Sequence, residues 1–190
     1  MEYFFIVLCI IIVGIIVICV RYYSNKKKLQ IINNVRNEIL DDGFSIDKEV
    51  SDPNGNFSLF VDNHKKYLFI YDANTAETSY IKFENLISFD LNENNQSVVQ
   101  GRAGNAIIGG LLFGGVGAIV GASGKKEITG KCISLTLNIC VNMIEKPNIL
   151  LHIVTKEIDK NTEDYENALN LANELISVLK VVLNNQKKER

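Results

Sequence analysis

The chain opens with an unbroken apolar run and continues with segments in which apolar and polar residues alternate. Residues 3–20, YFFIVLCIIIVGIIVICV, contain no charged residue and no proline. As a helix, a run of this length spans about 27 Å at 1.5 Å per residue, close to the hydrocarbon thickness of a bilayer. The alternative, a helix buried in a soluble core, is disfavoured because such helices rarely run this long without a polar residue. The pattern therefore predicts a transmembrane anchor over residues 1–24.

Basic residues follow the apolar run, whereas Glu2 precedes it. An uncleaved anchor is expected, because a secretory signal peptide has a basic segment before its apolar core and a small-residue cleavage site after it. The excess of positive charge on the carboxyl-terminal side predicts a single-pass protein of the cell membrane with its main domain in the cytoplasm. The same basic residues are candidates for contact with anionic lipid head groups, although they could equally serve topology and solubility alone. They are Arg21, Lys26, Lys27 and Lys28.

A second apolar pattern, with helical spacing, covers residues 25–43 and predicts a juxtamembrane helix that ends at Gly43. Its apolar positions are Leu29, Ile32, Val35, Ile39 and Leu40.

Short β-type segments then follow one another with turn residues between them. KCISLTLNICV alternates most clearly, with Ile133, Leu135, Leu137, Ile139 and Val141 on one face, and NILLHIV is expected to pair with it. Four earlier segments are also predicted strands: FSLFVD (57–62), YLFIYD (67–72), SYIKF (79–83) and LISFDL (86–91).

An amphipathic helix is predicted over residues 162–184, followed by a basic tail over residues 185–190. Acidic residues in the first turn favour its start, because they oppose the positive end of the helix dipole. The expected buried stripe consists of Tyr165, Ala168, Leu169, Ala172, Leu175, Ile176, Leu179 and Leu183.

The run VDNHKKYLFIYDANTAETSYIKFENLISFDL resembles bacterial pleckstrin-homology-like (PH-like) domains, and GNAIIGGLLFGGVGAIVG resembles the glycine-rich insertion of bacterial and phage-borne proteins of this type. The resemblance covers roughly residues 57–184. It implies an α+β fold, in which a PH-like antiparallel β-barrel or sandwich over residues 44–184 is closed by the carboxyl-terminal helix. It also implies a binding module without chemistry. The phosphoinositide-binding role of eukaryotic relatives does not carry over, because the loop at Lys65 and Lys66 has no large basic cluster.

Residues 101–126 hold nine of the 13 glycines in the chain. A helical hairpin turning near Gly114 and Gly115 would keep the flanking strands on one side of a membrane, with Arg102 and Lys125–Lys126 at the same surface. The alternative is a soluble glycine-rich loop or hairpin used in self-association. Small residues at helical spacing predict close helix packing in the hairpin, and the packing positions are Gly110, Gly114, Gly117 and Gly121.

The candidate catalytic and ligand-binding motifs lack the residues or the spacing that their chemistry requires. A phosphate-binding loop that ends at Gly124–Lys125 would need glycine where Ile119 stands and serine or threonine where Lys126 stands. The four cysteines lack metal-site spacing, and no nucleophile motif is present. With 20 basic and 22 acidic residues, the chain has no global charge that favours nucleic acid. We therefore expect no metal, no cofactor, no nucleic-acid partner and no enzymatic activity.

These patterns favour a membrane-anchored, non-enzymatic binding or scaffolding module whose glycine-rich hairpin contacts the membrane or mediates self-association. Its expected partners are the lipid bilayer and either a second copy of the chain or another protein. The alternative function is a membrane-active effector that oligomerises through the hairpin.

Overall fold

The computed structural model describes residues 2–102 and 130–188. Two long helices, α1 (Glu2–Asp41) and α2 (Glu163–Lys188), flank a β-rich domain. The strands are β1 Lys48–Ser51, β2 Phe57–Asp62, β3 Tyr67–Asp72, β4 Glu77–Lys82, β5 Leu86–Glu93, β6 Gln96–Arg102, β7 Lys131–Cys132, β8 Leu135–Val141, β9 Asn148–Val154 and β10 Ile158–Asp159.

The predicted anchor and juxtamembrane helix form one continuous helix, α1. It is long and apolar enough to cross a membrane: a window within Ile6–Asp41 has a mean hydropathy of 2.8, and the rest of the structure buries none of it. The helix ends as the sequence predicts, with Gly43 in the left-handed region at φ 78°. The Phe44 N–H donates to the Ile39 carbonyl at 2.8 Å and the Gly43 N–H to the Leu40 carbonyl at 2.9 Å, the paired bonds of a glycine-terminated helix.

Strands β1 to β4 form an antiparallel sheet in chain order. Every residue of β2 is buried, because α1 covers one face of this sheet while the other sheet and α2 cover the opposite face. Phe57, Leu59 and Val61 belong to the main core, whereas Phe60 belongs to the cluster beneath α1. The predicted bounds of β2 and β3 are confirmed. The predicted strand 79–83 instead spans 77–82, because Phe83 begins a 3₁₀ turn.

The second sheet has the order β6-β5-β8-β9, and β7 pairs with β10 separately. The barrel alternative is wrong, because the sheets are not closed: between β4 and β5 the chain makes a 3₁₀ turn, Phe83–Asn85, and the two strands belong to different sheets. Within residues 2–102 and 130–188, no strand pairing joins these two sheets. Helix α2 packs instead against β1, β5 and β9, so the arrangement is a helix-covered sandwich.

The predicted strand over KCISLTLNICV is interrupted. The side-chain oxygen of Asn94 accepts the backbone N–H groups of Ile133 at 2.8 Å and Ser134 at 3.2 Å, which takes those donors out of the sheet. Ile133 is consequently 59% exposed, and its predicted place on the buried face is wrong. The other four apolar positions are buried as expected, and β9 pairs with β8.

Helix α2 buries the predicted stripe except Leu169, which is half-buried. It also buries Val182, which the sequence analysis left out. The helix continues to Lys188, into the segment predicted as a basic tail.

Candidate functional site

The junction between α1 and the domain is an aromatic interface. Its buried members are Ile32, Ile39, Phe44, Phe60, Phe69 and Tyr71. Phe69 lies at the centre, with its ring centroid 6.4 Å from that of Phe44, 6.0 Å from that of Phe60 and 4.5 Å from that of Tyr80. Each buried apolar side chain of this size contributes about 1.5–3 kcal/mol. Helix α1 is therefore packed firmly on the first sheet.

Polar contacts fix the part of α1 that follows the apolar run. The ammonium of Lys28 donates to the side-chain oxygens of Asn56, at 2.7 Å, and Asn74, at 3.1 Å. These asparagines lie in the β1–β2 and β3–β4 turns. Gly55 lets the first turn approach, because its φ is +73° and a Cβ there would lie 3.0 Å from the Cβ of Lys28. Both turns consequently lie beside the part of α1 nearest the predicted membrane span.

The other end of α1 lies beside the β2–β3 turn. Lys65 Nζ is 3.5 Å from the Asp42 carbonyl oxygen. The buried Asp62 accepts the backbone N–H groups of Ser45 at 2.8 Å and Lys65 at 2.7 Å. Burial opposes ionisation of Asp62, but these hydrogen bonds outweigh it and lower the pKa of the carboxyl group. The β2–β3 turn is thereby held at the end of the domain opposite Lys28.

Of the predicted membrane-contact residues, Lys26 and Lys27 are exposed, and Arg21 lies on α1 directly after the apolar run. Lys28 is half-buried and directed into the domain turns, a role that the sequence did not suggest. The predicted packing glycines and the helical hairpin lie outside the described residues.

The residues that flank the glycine-rich segment lie beside opposite ends of β5. Arg102 is the register partner of Ser88, near the start of β5, whereas the Lys131 carbonyl accepts the Asn94 side-chain amide just beyond its end. Six residues of strand separate Ser88 from Asn94, which is about 20 Å at 3.3 Å per residue. The two flanks therefore do not meet at one point of the domain.

A cluster of titratable groups lies between β5, β7 and α2. Glu93 accepts the Tyr165 hydroxyl at 2.9 Å, and its carboxylate is 2.8 Å from the Lys160 ammonium. Burial, reinforced by the negative charge of Glu93, raises the pKa of the Cys132 thiol from 9.0 to about 11. Burial and Glu93 raise the pKa of Tyr165 as well. Cys132 is thus a protonated core thiol at neutral pH, without the depressed pKa of a nucleophile.

The Cys132 thiol should make the fold sensitive to alkali. Between pH 9 and pH 11 an unfolded chain loses this proton while the folded protein keeps it, so the unfolding free energy falls by about 2 kcal/mol across that window. Urea unfolding at about pH 8 and about pH 10.5 measures the fall. In Cys132→Ala the fall should be smaller, and an equal fall in both proteins would contradict the assignment.

A basic cavity of about 510 Å³ lies at the end of the domain where α1 terminates. The β2–β3 turn, the end of β4 and the end of α2 form its walls. It is lined by Lys65, Lys66, Tyr67, Lys82, Phe83, Glu84, Asn185 and Gln186. Sequence reasoning missed it, because only the fold brings these separate segments together. Within residues 2–102 and 130–188, no group of His, Cys, Asp and Glu side chains has the arrangement of a metal site.

Comparison with known proteins gives one family assignment. A family described as a glycine zipper containing PH domain matches residues 44–155, more than half of the 190-residue chain. No curated protein matches the chain, and no solved structure matches it. The two packed antiparallel sheets with a carboxyl-terminal helix are consistent with a PH-like fold. The chain belongs to the family of glycine-zipper-containing PH domains.

Proposed function

We propose that this protein is a membrane-anchored binding or scaffolding module whose PH-like domain is held in one orientation on the cytoplasmic side of the cell membrane. The observation that carries the proposal is the continuity of α1. A single helix contains the apolar run and then packs on the domain through Ile32 and Ile39, which are 3% and 1% exposed. A flexible linker would leave the domain free to turn, whereas a continuous helix transmits the direction of the anchor.

The proposed role is binding rather than catalysis, because PH-like domains generally act as binding modules and the titratable cluster at Cys132 serves the core. Residues 103–126 are assigned to membrane contact or self-association, on the grounds of their small-residue spacing. The bilayer is one partner, and a second copy of the chain or another protein is the other. Arg21, Lys26 and Lys27 support the cytoplasmic assignment through the positive-inside bias.

Cysteine labelling in cells tests the location. His64 is exposed in the β2–β3 turn, so His64→Cys offers a reactive probe in a background in which Cys9, Cys19 and Cys140 are replaced by alanine, while Cys132 stays buried. A membrane-impermeant maleimide should leave intact cells unlabelled and should react after lysis. Labelling of intact cells at residue 64 would reject the cytoplasmic placement.

The effector alternative makes a separate prediction. A membrane-active effector would cause dye or ion leakage that Gly114→Leu and Gly117→Leu abolish, because leucine blocks close helix contact. The anchored binding module should cause no leakage. Leakage that depends on these glycines would replace the scaffolding role with the effector role.

A further inference from the structure

The basic cavity at the end of α1 has the lining of an anion site. Three lysines contribute to its wall against one carboxylate, that of Glu84, whose side chain is 74% exposed. Lys82 lies 3.7 Å from that carboxylate, a separation at which an exposed pair is weak. The cavity is thus an accessible site with excess positive charge.

Its wall is fixed by contacts that do not use the lysine charges. The side-chain amide of Gln186 donates to the carbonyl oxygens of Phe83 and Leu86, the latter at 3.0 Å, which ties α2 to the 3₁₀ turn. The Phe83 N–H donates to the Lys66 carbonyl at 2.8 Å and ties the β2–β3 turn to the same place. The three walls are therefore joined to one another before any ligand binds.

Lys66 lies at the last position of the β2–β3 turn. Its φ is 61°, in the left-handed region, and Ala76 has a φ of 55° at the last position of the β3–β4 turn, so the four-residue turn accounts for this backbone. The Lys66 ammonium lies 5.9 Å from the centre of the Phe83 ring. The contact of the Lys66 ammonium with the Phe83 ring is therefore the observation that places this charge beside the cavity.

The cavity lies far from the predicted membrane surface. Along α1, the contact of Asn25 with Asn54 marks the near end, and the contact of Asp42 with Lys65 marks the far end. Seventeen residues of helix separate Asn25 from Asp42, about 25 Å at 1.5 Å per residue. With this orientation, lipid head groups of the anchoring membrane do not reach the lysines.

We propose that the cavity lined by Lys65, Lys66 and Lys82 binds a small soluble anion that carries two or more phosphate groups. Lysine binds phosphate oxygens as a compact point charge. Lys66 and Lys82 line the cavity together with Lys65, whose ammonium lies at the end of α1, and this excess of basic residues favours a ligand with several anionic groups. The volume of about 510 Å³ is that of a small-molecule site. The inference that the ligand is a soluble molecule rather than a lipid head group rests on the orientation proposed above. The inference that the cavity binds an anion does not.

The test uses the full chain in nanodiscs of phosphatidylcholine and inorganic triphosphate as the probe, with calorimetric titration as the measurement. Triphosphate should bind, and Lys66→Asn or Lys82→Gln should each weaken binding about tenfold, as expected for the loss of one charge-assisted hydrogen bond. Glu84→Gln should strengthen binding, because it removes the only carboxylate of the lining. Lys156→Gln, an exposed lysine outside this cavity, is the matched control and should bind as the parent does.

Stability separates a binding role from a structural one. Lys66→Asn should be at least as stable as the parent, because asparagine tolerates left-handed backbone better than lysine does. Absence of triphosphate binding, or binding that none of the three cavity variants changes, would overturn the proposal. Adhesion of added phosphatidylserine vesicles that Lys66→Asn abolishes, without triphosphate binding, would overturn it in favour of a lipid. If triphosphate does not bind but the cysteine at residue 64 is still not labelled in intact cells, the cavity proposal is rejected and the cytoplasmic placement stands.

Discussion

A shortened chain that begins at residue 25 is expected to remain folded, whereas one that begins at residue 44 is expected to unfold or aggregate. The chain that begins at residue 44 starts where the family match starts. It lacks Ile32 and Ile39, however, so Phe60, Phe69 and Tyr71 lose their cover. The lost burial is worth on the order of 5 kcal/mol. Because small domains are stable by only about 5–15 kcal/mol in total, this loss is enough to destabilise the fold severely.

Thermal unfolding followed by circular dichroism in mild detergent checks the two shortened chains side by side. A matched control is the chain from residue 25 with Ile39→Ala. Its melting temperature should lie between those of the two shortened chains, because the substitution removes one buried side chain rather than the whole helix. If the chain from residue 44 melted at the same temperature as the chain from residue 25, α1 would be no part of the folding unit.

Gly101→Ala is expected to lower the unfolding free energy by about 3 kcal/mol, the upper part of the range for overpacking a core. Gly101 is the register partner of Phe89 in β5, and a Cβ at Gly101 would lie 2.4 Å from two atoms of the Phe89 ring. Phe89 is 1% exposed and belongs to the main core, so the ring has little room to move. Urea unfolding measures the loss.

The double variant Gly101→Ala with Phe89→Leu tests the cause. Leucine is smaller than phenylalanine and makes room for the new methyl group, so the double variant should be more stable than the sum of the single losses predicts. Additive losses would show that the close contact between Gly101 and Phe89 is not what makes glycine necessary.

Local patterns predicted much of the secondary structure, because the physical signals for those elements are local. Strand β2 lies between turn residues, and Gly43 ends α1 through bonds within its own last turn. The strand predicted across Ile133 was wrong because the competing acceptor, Asn94, is distant in the sequence. Gly101 was assigned to the glycine-rich insertion, although it lies in β6 against Phe89, a contact that only the sheet register reveals.

The functional surfaces were harder to predict, because they depend on how separate segments meet. The apolar face of α1 is visible in the sequence, but its partners, Phe60 and Phe69, lie in strands buried on both faces, where alternation carries little information. The sequence analysis found no large basic cluster at Lys65 and Lys66, because Lys82 and the end of α2, which line the same cavity, are far away in the sequence.

The proposed fixed orientation of the domain relative to a membrane anchor is tested most directly by measuring how far two turns lie from the membrane. Spin labels at residues 54 and 64 can be compared in nanodiscs through their relaxation by gadolinium chelates on the lipid head groups. The continuous α1 predicts that residue 54 lies close to the head groups and residue 64 about 25 Å farther away, the rise of seventeen helical residues. Equal distances for the two labels, or a label at residue 64 that lies nearer to the membrane, would contradict a fixed orientation with the β2–β3 turn directed away from the membrane.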